Sequence, residues 1–204
     1  MKRLSALLIA TLALLVGCSG QPIEPSYYLL RTTSDLESRT LEPSKEYSLG
    51  GIVIASYLDQ TGMMLETTDG EIRPARHHRW AEPVYDAVHG FLLVELGRLY
   101  GEDIFPNRVK KAPTTIEVRI NQLHGTADGE AKLVAYWWLR KGGDVIAAYQ
   151  FAESQTQDSD GYGALARAER QLLRRLASDI ADSLKANRDL AAASAAEAND
   201  EGES

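Results

Sequence analysis

The chain contains a single cysteine, Cys18, and it closes an apolar run at the N-terminus. Lys2 and Arg3 precede Leu4 to Val16. A run of about thirteen residues has the length of a signal-peptide core and falls short of the roughly twenty that span a bilayer. It ends in "LVGC", residues 15 to 18, where small residues lead into a cysteine as in a bacterial lipobox. Residues 1–17 are therefore expected to be a lipoprotein signal peptide, with Cys18 acylated as the first residue of the mature chain. The mature chain then has no internal disulfide, no thiol nucleophile and no cysteine-based zinc site. In an oxidising compartment such a domain must stand on its hydrophobic core alone. Ser19, where an aspartate would signal retention at the inner membrane, points to sorting to the outer membrane, on its periplasmic face.

Charge narrows the partners. Removing residues 1–17 takes away Lys2 and Arg3, leaving 20 basic against 29 acidic side chains, a net charge of −9. A chain this acidic suits neither nucleic acid nor a bare anionic surface as its main partner. The stretch "EIRPARHHRWAEPV", residues 71 to 84, is a local exception, with Arg73, Arg76 and Arg79 forming a positive island.

The mature sequence reads as a tether over 18–26, one domain over 27–187, and an acidic, Ala-rich disordered tail over 188–204. "YYLL" (27–30) and "GGIVIASYL" (50–58) read as strands. Asp69-Gly70 marks a hairpin within "MMLETTDGEIRPA". "PVYDAVHGFLLVELGRLYG" is a helix, with Pro83 at its start, Gly101 at its end, and Val84, Val88, Phe91, Leu92, Leu96 and Leu99 on its apolar face. Three strands follow, "TTIEVRI", "AKLVAYWWLR" and "DVIAAYQF", the last two joined at Gly142-Gly143. A long final helix places Leu165, Leu172, Leu173, Leu176, Ile180 and Leu184 on one face. The expected fold is α+β: a two-layer sandwich of a mainly antiparallel sheet with two amphipathic helices on one face. The other face is then left open. Trp137 and Trp138 are neighbours in a strand and point to opposite faces, so one enters the core and the other is a candidate contact residue on the open face, unless loops or the hairpin cover it.

Motifs of catalysis are missing. The chain has no Walker A loop, no G-x-S-x-G, no H-E-x-x-H and no G-x-G-x-x-G. His77 and His78 diverge if extended, so they do not share a metal, and no cofactor is expected. Asp158, Asp160, Gly163 and Glu169 mimic positions 1, 3, 6 and 12 of a calcium loop. Tyr162 at position 5 is a poor ligand, and Asp158, Ser159 or Asp160 is better read as the cap of the last helix.

The lipobox, "YYLL", "IVIASYLDQTGMMLETTDGEI" and "HHRWAEPV", in this order, resemble the ABC-type transport auxiliary lipoproteins. The specific elements are Tyr57-Leu58-Asp59 and Arg79 to Pro83. Many members carry a proline just before the Y-L-D element, where this chain has Ala55-Ser56. The resemblance implies a non-enzymatic outer-membrane subunit of an intermembrane phospholipid transport system, working with an MCE-domain protein anchored in the inner membrane and supporting envelope integrity. A lipid-binding carrier or chaperone is the alternative. A closed homo-oligomer is expected, because one small domain cannot shield a lipid path by itself. Its candidate contacts are Arg73, Arg76, Arg79 and the exposed member of Trp137 and Trp138.

Cys18→Ser is expected to leave an unacylated, mislocalised precursor, because the thioether needs the thiol. Membrane fractionation and mass spectrometry check this; normal processing and membrane association of the variant would refute the lipobox.

Overall fold

A computed structural model describes residues 23–31 and 40–201. The expected signal peptide and Cys18 lie outside these residues. Eight strands form one sheet: β1 (Ser26–Tyr28), β2 (Pro43–Ile54), β3 (Gly62–Glu66), β4 (Ile72–Trp80), β5 (Asp103–Pro106), β6 (Thr114–Thr126), β7 (Glu130–Lys141) and β8 (Asp144–Thr156). Two helices, α1 (Val84–Tyr100) and α2 (Tyr162–Glu201), complete the α+β fold.

The sheet is built around β6. One edge of β6 pairs with β7 along its length, antiparallel from Thr114↔Lys141 to Gly125↔Ala131, and β8 adds beyond β7. The other edge is shared. The first half of β6 pairs in parallel with β2 (Tyr47↔Thr114 to Ile54↔Ile120), and its end pairs in parallel with β3 (Leu65↔Gly125, Glu66↔Thr126). Beyond β2 lies β5, parallel; beyond β3 lie β4, antiparallel, and then β1, parallel to β4. The C-terminal meander is thus antiparallel, as expected, and the N-terminal strands join it through parallel pairings. Gly142 and Gly143 close the β7–β8 hairpin with φ of 61° and 98°, both in the left-handed region that glycine enters without steric cost.

Alternation along β6 and β7 sends Ile116, Val118, Ile120, Leu133, Ala135, Trp137 and Leu139 toward the helices, all buried. The expected apolar stripe of α2, Leu165 to Leu184, is buried without exception. Gly125 lets α2 approach closely: a Cβ there would stand 2.8 Å from Leu165 Cδ2. Polar bonds fix the register of the layers. Trp137 Nε1 donates to Ser183 Oγ (3.1 Å), and Tyr47 donates to the Leu184 carbonyl (3.0 Å). The buried Glu95 of α1 takes two bonds from Arg98, at 3.0 and 2.7 Å.

α1 starts and stops where the sequence predicts. Pro83 occupies the N-cap position, and Gly101 ends the helix in the left-handed conformation with its N–H on the Gly97 carbonyl. Elsewhere the structure differs from the expectation. β2 begins at Pro43, seven residues before the apolar "GGIVI", and β5 has no counterpart among the expected elements. α2 continues to Glu201, where a disordered tail was expected over 188–204. Ala191, Ala192, Ala193, Ala195, Ala196 and Ala198 supply the highest intrinsic helix propensity, so an exposed extension needs no core to remain helical. Asp158 holds Arg167 through two bonds (2.8 and 2.6 Å), a side-chain clasp on the first turns of α2 in the place of the expected cap.

One buried acid stands against this packing. Glu169 of α2 is buried, and its Oε2 has no hydrogen-bond partner among the described residues. Burial pushes its pKa from 4.5 up to about 8. The folded state therefore binds more protons than the unfolded state between those values. Stability from this position is complete below about pH 4.5 and falls as pH rises through 8, by at most about 1.4 kcal/mol per pH unit. Glu169→Gln is expected to raise the melting temperature at pH 8 and to lose that advantage at pH 5. Thermal denaturation followed by circular dichroism at both pH values checks it; an equal difference at both would mean that Glu169 does not titrate on folding.

Candidate docking cleft and open sheet face

The chain leaves β2 at Ile54 and rejoins the same edge of β6 at β3 after a detour. Ala55 N–H still reaches the Ile120 carbonyl (2.9 Å), and a single 3-10 turn follows over Ser56–Leu58. Leu58 is buried, and Tyr57 pins the detour to β6. The Tyr57 oxygen accepts the Leu123 N–H (3.2 Å) and lies 3.0 Å from His124 Nδ1. His124 Nε2 in turn faces Glu66 Oε2 (3.3 Å), which also pairs with Lys132 (2.9 Å). Burial pushes the His124 pKa down, with the Glu66 carboxylate opposing. The ring bridges Tyr57 and Glu66, its two nitrogens each within hydrogen-bond distance of one of them.

The detour forms one wall of a cleft. The other wall is the end of β4 and the start of α1. Trp80 N–H donates to the Thr61 carbonyl (2.9 Å), and Ala81 N–H donates to the Tyr28 carbonyl (2.8 Å). Tyr27, Asp59, Gln60, Thr61, Arg79, Glu82, Pro83 and Val84 line a space of about 310 Å³, with the buried Trp80 at its base. Thus Asp59, which ends the Tyr57-Leu58-Asp59 element, and Arg79 to Pro83, twenty residues on in sequence, converge on one place. Arg31 closes the rim through Glu82 (3.2 Å).

The expected arginine island divides. The segment is a strand, and a spacing of three does not keep side chains on one strand face. Arg73 is exposed and paired with its neighbour Glu71 (2.8 Å). Arg76 is exposed and has no ion pair among the described residues. Arg79 donates from Nε to the Arg76 carbonyl (3.3 Å) and lines the cleft. The adjacent histidines part as expected. His77 faces solvent, while His78 bonds Tyr28 through Nδ1 (3.0 Å) and stacks on Tyr162 at 4.2 Å, tying β1 and β4 to the start of α2. Among the described residues no group of three or more potential ligands is placed to hold a metal.

The tryptophan pair resolves into one core residue and one surface residue. Trp137 is buried under α2 and stacked on Tyr149 at 5.0 Å, so it offers no contact to a partner. Trp138 lies on the opposite face, half-buried, stacked on Tyr136 at 6.4 Å, opposite Ala148 of β8 and Glu117 of β6. Glu117 pairs there with Arg140 (2.9 Å). No described helix covers this face, and no described strand pairs with the outer edge of β8. A second basic segment, Arg108 to Lys111 after β5, lies outside the expected contacts, although its signal, the charge run "RVKK", is visible in the sequence.

Trp80→Ala is expected to cost about 3 kcal/mol, because the ring is buried where the detour, β4 and α1 meet. Urea denaturation measures this. An unchanged midpoint would remove Trp80 from the support of the cleft.

A family model of the ABC-type transport auxiliary lipoprotein component matches residues 27–181. The intermembrane transport lipoprotein PqiC of Escherichia coli (strain K12) is 25% identical over 173 residues, covering 84% of this chain and 92% of that protein. The Shigella flexneri protein of the same name matches to the same extent. Two crystal structures share the fold: that of an uncharacterized protein, with a TM-score of 0.65 at 22% identity over 79% of this chain and 99% of its own, and that of a Xanthomonas campestris protein, with 0.62 at 13% over the same shares. The match to the family model spans the strands, both helix starts and the walls of the cleft, and the chain belongs to the ABC-type transport auxiliary lipoprotein component family.

Proposed function

We propose that this chain is an outer-membrane lipoprotein serving as a non-enzymatic adaptor in intermembrane phospholipid transport. In this reading it docks an MCE-domain protein anchored in the inner membrane and assembles around it as a closed homo-oligomer. The name borne by its Escherichia coli relative, an intermembrane transport lipoprotein, supports the transport setting. The observation that carries the adaptor role is the open sheet face. Among the described residues helices cover only one side of the sheet, and the other presents Tyr136, Trp138 and Ala148 beside the β8 edge, which no described strand pairs and which Arg175 of α2 meets only at Glu153 to Gln155. Isolated proteins usually blunt a long edge with lysine, proline or a covering element. β8 has neither lysine nor proline, and it carries exposed Val145 and Ile146.

The cleft at Arg79 is the second contact. Its arginine and that of Arg76 are opposite in charge to most of the molecule, which favours an acidic surface on a neighbour. Two clefts, at Arg79 and beside Gly50-Gly51, hold about 310 and 270 Å³. Each sits near or below the small end of pockets for a drug-sized ligand, so neither would hold a whole lipid.

Light scattering coupled to size-exclusion chromatography of the mature chain in detergent, alone and with its MCE partner, tests the reading. Wild type is expected to assemble. Trp138→Glu, and Arg76→Glu with Arg79→Glu, are each expected to weaken association at least tenfold while circular dichroism stays unchanged. A strictly monomeric wild type that ignores the MCE protein overturns the adaptor role, and phospholipid co-purifying at one molecule per chain would favour the carrier.

A further inference from the structure

The two lateral edges of the sheet differ in chemistry. The β8 edge is described above; the opposite edge carries β1 and β5. Between β5 and β6 the chain turns through Arg108, Val109, Lys110 and Lys111. Val109 is 66% exposed at the tip, and none of the three cations has an ion pair among the described residues. Lys110 Nζ donates to the Pro43 carbonyl (3.4 Å), a neutral acceptor. Beside this turn Tyr85 and His89 of α1, Asn107, Arg108 and the backbone of Gly50-Gly51 line a cleft of about 270 Å³. Asp86 is the one acid in the first turn of α1. On the same edge, Tyr27 is 60% and Ile23 70% exposed. Val84 lines the Arg79 cleft and Tyr85 lines this one, so the start of α1 divides the two, and the rim on this side of it is the Arg108 to Lys111 turn with Tyr85.

We infer that this rim, led by the Arg108 to Lys111 turn, lies against the anionic phospholipid surface of the membrane that anchors the chain. The inference rests on Cys18 being acylated. Ile23 is five residues beyond Cys18, so extended chain limits it to roughly 18 Å from the anchor. β1 therefore brings its own edge of the sheet to the bilayer before any other. What meets the bilayer there is suited to it: unpaired lysine and arginine for lipid phosphates, tyrosine for the headgroup region, and one exposed valine flanked by cations. An acidic protein would otherwise be repelled from such a surface, and the turn is where that repulsion is locally reversed.

The test uses the acylated full chain. With Cys18 blocked by its lipid, Val109→Cys provides the one free thiol, and it is labelled with an environment-sensitive fluorophore. In phosphatidylethanolamine vesicles containing phosphatidylglycerol, the label should shift to the blue with severalfold higher intensity. It should not do so in vesicles of phosphatidylcholine alone. A label at Gln150→Cys, on the open sheet face, should respond to neither. Arg108→Glu with Lys111→Glu, both exposed positions, should abolish the Val109→Cys response, as should molar salt. A response that is missing, equal in both vesicles, or retained after charge reversal overturns the rim. Flotation of the same samples reports the anchor separately: floated protein with a silent label overturns the rim alone, whereas protein that floats with neither vesicle overturns the anchor and the rim together.

Discussion

Strand β6 is thirteen residues long, and its two edges are filled in different ways. On one side β7 runs antiparallel along its length, joined by a short turn. On the other side two strands of one chain direction, β2 and β3, must follow each other along the same edge. A continuous strand would make that trivial. Here the chain steps out between Ile54 and Gly62, and the step must be held against the sheet or the pairing of β3 is lost. Tyr57 holds it, through the Leu123 N–H and the buried His124. β4 depends on β3, β1 depends on β4, and the entry of α1 depends on Trp80 at the end of β4. The cleft is thus a product of how an edge is shared.

Local chemistry made much of the fold legible. α1 was readable because Pro83 and Gly101 bracket a helical apolar period, and α2 because its leucines repeat over five turns. The β7–β8 hairpin followed from two alternating arms around Gly142-Gly143. The rest depends on distant partners. "PSKEYSL" at the start of β2 carries Lys45 and Glu46 on its exposed positions and gains its strand identity from β5 and β6, some sixty residues away. β5, "DIFP", is four residues long and ends in a proline, so no periodicity can accumulate. Parallel pairings leave no local mark, because the connection that makes them can be any length above a dozen residues.

The candidate site shows the same division. Arg79, Trp80 and Pro83 stood out by composition, and the Y-L-D element stood out by resemblance. Nothing in either stretch states that they face each other across one cleft. His124 looked isolated because its partners, Tyr57 and Glu66, lie 67 and 58 residues away. The tryptophan pair could be divided between two faces by parity, but which one was buried depended on the helix above it. Ser183 of α2 supplies the partner that the Trp137 indole N–H needs when it is buried.

Net charge then decides how the open surfaces can be used. At −9 for the expected mature chain, two copies repel as they come within a Debye length of each other, about 8 Å at physiological salt. Association must therefore come from short-range terms: strand pairing at β8, apolar contact around Trp138, or arginine against acid at the cleft. Strand pairing and the arginine contact are directional, and the β8 edge and the Arg79 cleft lie on opposite sides of β6. A contact from one side of a copy to the other side of the next is heterologous, and it gives a ring when its rotation divides a full turn and a filament when it does not. A two-fold contact of β8 with β8 would instead end at a dimer and leave both clefts free. The separation of the surfaces across β6, more than the strength of either, is what would set the proposed ring apart from a two-fold dimer.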